Sequence, residues 1–121
     1  MDAPDILVLR EPIAPLELEP LKFWHHTLVK GVADIRRGVI ALGGEWHMDA
    51  NTVLIADGSE QQDMWGFNVY PREKRDKAIK YNSMINIRPL QGNRSMDLHN
   101  VELQKAIRTL VGRIIPDLEL V

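Results

Sequence analysis

The strongest fold signal in the chain is the sequence Val29-Lys30-Gly31-Val32-Ala33-Asp34-Ile35-Arg36-Arg37-Gly38-Val39-Ile40-Ala41-Leu42. Two runs rich in β-branched residues, 29–35 and 39–42, flank a short connection that ends in glycine. β-Branched residues favour strands, and a short connection with a glycine is typical of a hairpin. We therefore predict an antiparallel hairpin over residues 29–42.

Three further strands are predicted on either side of this hairpin. An apolar run over residues 6–9 predicts a first strand. Residues 65–70 and 82–88 alternate between two sets of side chains, which is the pattern of a half-buried strand. Pro71 and Pro89 follow these two segments and end them, because proline has no N–H to donate to a strand ladder.

Two helices are predicted in the first half of the chain. From Pro15 onward apolar side chains recur at helical spacing, most clearly over residues 20–27, although Pro20 should kink or restart the helix. A helix of about two turns fits between Asp49 as its N-cap and Gly58 as its C-terminal glycine. Residues 53–55 would also suit a strand, because they are apolar and partly β-branched.

The clearest helix lies near the C-terminus, with Asn100 as its cap and Pro116 beyond its end. Its apolar stripe comprises Leu103, Ile107, Leu110, Val111 and Ile114. Together these elements predict an α+β fold, a mainly antiparallel sheet of about five strands with two or three helices packed on one face. The other face would then carry the polar side chains of the alternating strands.

Composition limits the class of protein. The 121 residues are 45% hydrophobic and 26% charged, as expected for one domain over residues 1–121, with a short disordered N-terminus over residues 1–4. The net charge of -2 makes nucleic acid an unlikely partner. The chain has no cysteine, no apolar run long enough to span a bilayer and no basic leader, so we expect a cytoplasmic protein.

The first candidate site is the alternating set Glu45, His47 and Asp49. In an extended backbone these side chains share one face, and a set of carboxylates and an imidazole suits a divalent metal ion. His47 could also act as a base oriented by a carboxylate. Asp63 precedes a predicted strand, so His47, Glu45 and Asp63 are the candidate catalytic residues. The same set also fits a solvent-facing segment in which Asp49 only caps a helix.

The second candidate site is the polar segment 86–95, where arginines, amides and a glycine follow a predicted strand. Guanidinium and amide donors suit a carboxylate or a phosphate. The predicted ligand-binding residues are Asn68, Asn86, Arg88, Gln91, Asn93, Arg94 and Ser95. In the alternative interpretation Arg88 pairs with Glu45, Asp49 or Asp63, and the polar network only pins the loop.

Three polar blocks resemble those of a small bacterial domain family of unknown function. They are Gly43-Gly44-Glu45 with His47 and Asp49-Ala50, Asp57-Gly58-Ser59 with Gln62-Asp63 and Trp65-Gly66, and Ile85-Asn86-Ile87-Arg88-Pro89 with Gln91-Gly92-Asn93-Arg94-Ser95. The resemblance runs from Leu9 to the last helix. It implies a stand-alone bacterial protein and transfers no activity, ligand or catalytic residue.

These observations predict a protein that binds a small polar or anionic ligand on the polar sheet face. The anionic group would lie on Arg88 and Arg94, and a metal held by the acidic-histidine set would allow hydrolysis. Whether the protein is an enzyme is left open. The alternative is a non-enzymatic homodimer, formed through the sheet face or an edge strand, in which the polar network is structural.

Overall fold

The structure is a computed structural model that describes residues 2–121. Its centre is a five-stranded sheet in the order β1-β3-β2-β4-β5, and every neighbouring pair is antiparallel. The strands are β1 Leu7–Leu9, β2 Val29–Asp34, β3 Val39–Leu42, β4 Met64–Val69 and β5 Ile79–Lys80. The predicted α+β class, with an antiparallel sheet of five strands, is confirmed.

Two α-helices, α1 His47–Ala56 and α2 Val101–Ile114, and the 3₁₀ segment Glu19–Phe23 pack against this sheet. Shorter 3₁₀ turns occupy Pro15–Glu17, Gln61–Asp63, Arg75–Lys77, Met84–Asn86, Pro89–Gln91 and Pro116–Leu118. Among residues 2–121, no helix combines the length and the apolar character that crossing a membrane requires. The predicted disordered N-terminus includes Met1, which lies outside the described residues, and residues 2–4 have no regular secondary structure.

The predicted hairpin forms between β2 and β3, and Asp34 lies opposite Val39 at its closed end. The Asp34 carboxylate is fully buried and accepts the backbone N–H groups of Arg36 and Arg37, both at 3.0 Å. Its second oxygen accepts the Ser59 hydroxyl at 2.6 Å. The turn is therefore held by one side chain that satisfies three donors.

The helices divide between the two faces of the sheet, which corrects the prediction that they lie on one face. Ile107 and Val111 of α2 pack in the cluster that contains Ile40 and Phe67. Leu54 of α1 packs on the opposite face, in the cluster of Val32, Val39, Ala41, Ala50 and Met64. The reason is that β2 and β3 are apolar on both sides, so each face needs a cover.

The predicted strand over residues 82–88 is wrong. Asn82 makes only an isolated bridge to Asp97, and residues 84–86 form a 3₁₀ turn whose N-cap is Ser83. The Ser83 hydroxyl accepts the N–H of Ile85 at 3.2 Å, so local hydrogen bonding replaces a strand ladder here. The fifth strand is the two-residue β5 instead. We refer to residues 82–98, which cross the α1 face of the sheet, as the 82–98 loop.

The two early helices also differ from the prediction in detail. Residues 19–23 are 3₁₀ rather than α-helical. Pro20 separates them from the turn at Pro15–Glu17, because it cannot donate the backbone hydrogen bond that a continuous helix would need there. The helix α1 begins at His47, and its N-cap residue is Trp46, three residues earlier than the predicted Asp49. Asp49 acts from the third helical position, where its carboxylate accepts the Trp46 N–H at 3.0 Å.

Candidate functional site

A cavity of about 530 Å³ opens on the α1 face, between the N-terminus of α1 and the 82–98 loop. This volume lies in the range of sites for small organic molecules. Most of the wall is apolar, whereas the strands beneath contribute polar side chains. The lining residues are Lys30, Trp46, His47, Met48, Asn68, Asn82, Ser83, Met84, Ile85 and Met96.

Lys30 of β2 and Asn68 of β4 form the polar floor of this cavity. They are register partners across the two strands, so their Cβ atoms lie about 5 Å apart on one face. None of the ion pairs among residues 2–121 involves Lys30. Burial lowers the pKa of Lys30, because the loss of water destabilises the charged ammonium and no carboxylate among the described residues compensates for it.

The side-chain oxygen of Asn68 accepts no hydrogen bond from residues 2–121 of the protein. The residue is 4% exposed, and its Nδ2 donates to the Asn82 backbone oxygen at 3.1 Å and to Asn82 Oδ1 at 2.8 Å. These two acceptors fix the orientation of the amide, which leaves Asn68 Oδ1 buried without a hydrogen-bond partner. An unsatisfied buried acceptor costs about 1–3 kcal/mol, so a bound donor here would be stabilising.

His47 stands beside this floor at the first position of α1. Its Nε2 lies 2.9 Å from the Phe67 backbone oxygen, so Nε2 carries the hydrogen and Nδ1 the lone pair of the neutral ring. Burial lowers the pKa of His47 to about 4, the hydrogen bond to Phe67 opposes this effect, and the charge of Lys30 adds to it. His47 is therefore neutral at neutral pH.

The predicted set of Glu45, His47 and Asp49 is not brought together. Among residues 2–121, no three His, Asp or Glu side chains lie in a group that could hold a metal ion. The set depended on an extended backbone, but α1 begins at His47, which turns His47 and Asp49 about 200° apart around the helix. The predicted metal site therefore lacks its geometric basis.

The third predicted catalytic residue, Asp63, lies outside the cavity lining. Its carboxylate accepts from Arg36 Nε at 2.7 Å, just before β4 begins. This contact connects the end of the hairpin to the start of β4. In this structure Asp63 is an ion-pair partner and has no contact with His47.

The guanidinium of Arg88, predicted to bind an anionic ligand, forms hydrogen bonds within the protein. Its guanidinium donates to the backbone oxygens of Gln61, at 2.6 Å, and of Met64. The same group lies 3.6 Å above the Trp65 ring and also donates to Gln91 Oε1 at 3.2 Å. Burial lowers the pKa of Arg88 to about 10, which leaves it charged at neutral pH. Arg88 therefore ties the loop to β4 through carbonyl groups, not through the predicted acidic partners.

Asn86 and Asn93 are also internal braces. Asn86 accepts the Gly66 N–H at 2.8 Å and donates to the Gly66 oxygen at 3.0 Å. Asn93 Nδ2 donates to the backbone oxygens of Asn86, Ser95 and Asp97. Both residues are buried, so their polar atoms form hydrogen bonds within the protein that hold the 82–98 loop in place.

The remaining predicted ligand residues lie away from the cavity. Gln91 donates to the Gln62 backbone oxygen at 3.1 Å, and the Ser95 hydroxyl lies 2.9 Å from His99 Nε2. Arg94 is exposed and takes part in none of the ion pairs of the described chain. Of the predicted site residues, only His47 and Asn68 line the cavity. The polar segment is bonded within the protein, but Arg88 pairs with none of the three carboxylates that the alternative interpretation named.

Sequence reasoning missed Lys30, although a signal was present. Lys30 is the one charged residue within an otherwise uncharged run, 28–33, of the predicted hairpin. A lone cation in the middle of a buried strand needs either a carboxylate or an opening to solvent. Its pairing with Asn68 depends on the β2–β4 register, which no local pattern reveals.

Comparison with known proteins gives one match. A family model described as a protein of unknown function, DUF5674, matches residues 7–114. No curated protein and no solved structure matches the chain. Because the matched segment extends from β1 to the end of α2, the chain belongs to the DUF5674 family of proteins of unknown function.

Proposed function

We propose that this protein binds a small organic anion with an apolar body in the cavity between α1 and the 82–98 loop. The observation that carries the proposal is Lys30, a partly buried cation on the cavity floor without a carboxylate partner. A protein cation that is partly desolvated and unpaired is stabilised by an incoming anion. The anionic group is thereby assigned to Lys30 in place of Arg88 and Arg94.

The walls favour an apolar body on that anion. Trp46 and Met84 are 61% and 73% exposed at the rim, and Met48 and Met96 complete it. Flexible methionines and an indole ring can cover ligands of different shapes. The free acceptor Asn68 Oδ1 adds a preference for a ligand that also carries an N–H or O–H donor.

Binding is better supported than hydrolysis. His47 is the titratable imidazole on the cavity wall, and a pKa of about 4 makes it a weak base at neutral pH. The acidic residues that were expected to assist it lie elsewhere.

The surfaces available for the alternative homodimer are small. Both sheet faces are covered, and the edge strands β1 and β5 have three and two residues.

The proposal is tested by titration with anilinonaphthalene sulfonate, a fluorescent probe that combines an anion with flat apolar rings. Lys30→Met should weaken binding by about tenfold, because a hydrogen bond to a charged group is lost. The matched control is Lys77→Met, since Lys77 is exposed and lies outside the cavity. Unchanged binding in Lys30→Met, or equal losses in both variants, would reject the proposal. Circular dichroism of both variants checks that each is folded.

A further inference from the structure

We propose that Lys30 is a reactive amine that forms an imine with aldehydes or ketones entering the cavity. This inference uses the cavity of the proposed function and goes beyond it, because it assigns covalent chemistry to the residue. The chemical class of the ligand is a small carbonyl compound with an apolar body.

Lys30 differs from the other lysines of residues 2–121 in its surroundings. Lys22, Lys74 and Lys105 lie near carboxylates, and Lys80 lies over the Tyr70 ring. Lys77 is exposed to solvent. Lys30 alone combines partial burial, a place on the cavity lining and no ion pair within residues 2–121.

The backbone beneath the Lys30 amine is held on both sides. Lys30 projects from β2, the central strand of the sheet, which pairs on both sides with β3 and β4. A backbone held in this way fixes the origin of the side chain more firmly than a loop does. Lysine amines in apolar pockets act as nucleophiles because the neutral form becomes more populated, and burial lowers the pKa of Lys30 in that direction.

The register partner of Lys30, Asn68, carries an acceptor without a donor among the described residues. In the first step the neutral Nζ attacks the carbonyl carbon, and a proton moves from nitrogen to the former carbonyl oxygen. The resulting hydroxyl is a donor, and Asn68 Oδ1, on the register partner of Lys30, is a buried acceptor without a donor. The hydroxyl then leaves as water after protonation by solvent, while the nitrogen lone pair forms the C=N bond. The product is the protonated imine, which returns a proton to solvent to give the neutral imine, and no oxidation state changes.

The experiment is reductive labelling of the intact protein with benzaldehyde and cyanoborohydride at neutral pH, followed by peptide mass spectrometry. Benzaldehyde carries no charge, so the result does not depend on anion binding. We expect Lys30 to be modified roughly tenfold faster than exposed Lys77, as for a desolvated amine in an apolar pocket. Labelling of Lys30 at or below the rate of Lys77 would overturn the inference.

A variant separates the amine from the charge. Lys30→Arg keeps the cation and removes the nucleophile, so it should lose the fast labelling phase and retain most of the binding of anilinonaphthalene sulfonate. A fast phase that persists in Lys30→Arg contradicts the inference. Two combined outcomes separate this inference from the proposed function. Slow labelling of Lys30, together with dye binding that depends on Lys30, rejects the imine and leaves the proposed anion site intact. Fast labelling of Lys30 without dye binding supports the imine and rejects the anion site.

Discussion

His47 shows how a single residue is defined by its surroundings. Its imidazole is 8% exposed, and its Nε2–H is directed to the Phe67 carbonyl. Burial selects the neutral ring, because protonation would place a charge in a poorly solvated position near Lys30, and the hydrogen bond to Phe67 opposes this effect only in part. In the sequence His47 belonged to an acidic set, but in the structure its neighbours are a carbonyl, an amide and a cation.

We expect this residue to make the folding stability depend on pH. The imidazole has a pKa of about 4 in the folded protein and 6.5 as its ordinary value, so the unfolded chain binds more protons between these limits. Stability is complete above pH 6.5 and falls as the pH drops to about 4, by about 3 kcal/mol in total. Urea denaturation across this range measures the loss.

His47→Gln is the matched variant for this measurement. Glutamine can donate from Nε2 to the Phe67 carbonyl and does not titrate, so its stability should fall less over the same pH range. The carboxylates of the protein titrate in both proteins and cancel in the difference. Parallel stability curves for the two proteins would show that His47 is not the titrating group.

Asn86 acts at the scale of a secondary-structure element, because its side chain takes the place of a strand. β4 pairs with β5 only at Asn68 and Val69, so at Gly66 the side of β4 that faces away from β2 has no neighbouring strand in the described chain. The Asn86 amide bonds to both groups. A side chain at Gly66 would collide with Ser83, since a Cβ built there lies 2.5 Å from the Ser83 Cβ. The loop thus completes the sheet by close approach to a glycine.

Asn86→Asp is expected to destabilise the protein at neutral pH by about 3 kcal/mol, because a buried carboxylate would face the Gly66 carbonyl oxygen. Acidification should recover part of this loss, since a protonated carboxyl can again donate to that oxygen. The measurement is urea denaturation of each variant relative to wild type at neutral pH and at about pH 4.

The control for this prediction is Asn86→Ala, which removes both hydrogen bonds and cannot regain them. Its stability relative to wild type should change little with pH. If the aspartate and alanine variants lose equal stability at both pH values, the paired hydrogen bonds to Gly66 do not hold the loop on β4.

The helix α2 is the element that follows most directly from its own sequence. Asn100 accepts the backbone N–H groups of Glu102 and Leu103, at 2.9 and 3.1 Å, as predicted for its N-cap. The stripe that includes Ile107 and Val111 lies in the main core. Capping and helical periodicity are local properties, so sequence alone located this helix. The strand prediction for residues 82–88 was wrong for the opposite reason. The alternation of side chains is compatible with a strand, but a strand also needs a neighbouring strand to pair with, and residues 84–86 form a 3₁₀ turn instead.

At the scale of the whole molecule, surface shape predicts the oligomeric state. The edge strands have three and two residues, which offers little backbone for pairing with another chain. Of the eleven large apolar side chains that are exposed among residues 2–121, four line the cavity, namely Trp46, Met48, Met84 and Met96. This distribution favours a ligand site on a monomer.

We therefore expect light scattering to give the mass of one 13.8 kDa chain at micromolar concentration. A stable particle of twice this mass would contradict the prediction and favour the homodimer. In that case dye binding measured across protein concentrations would test the interface, because a dimer that covers the rim should release the dye as it forms.

The sequence by itself determined the α+β class, the β2–β3 hairpin and α2, because β-branched runs, turn glycines, caps and helical periodicity act over a few neighbouring residues. For α1 it indicated a helix but left a strand open for residues 53–55. It also identified His47 and Asn68 as residues of interest. Only the tertiary structure decided which polar groups meet. The β2–β4 register placed Lys30 beside Asn68, and the course of the 82–98 loop turned Asn86, Arg88 and Asn93 inward. These contacts join residues far apart in the chain, so the location of the cavity depends on long-range packing that no local pattern encodes.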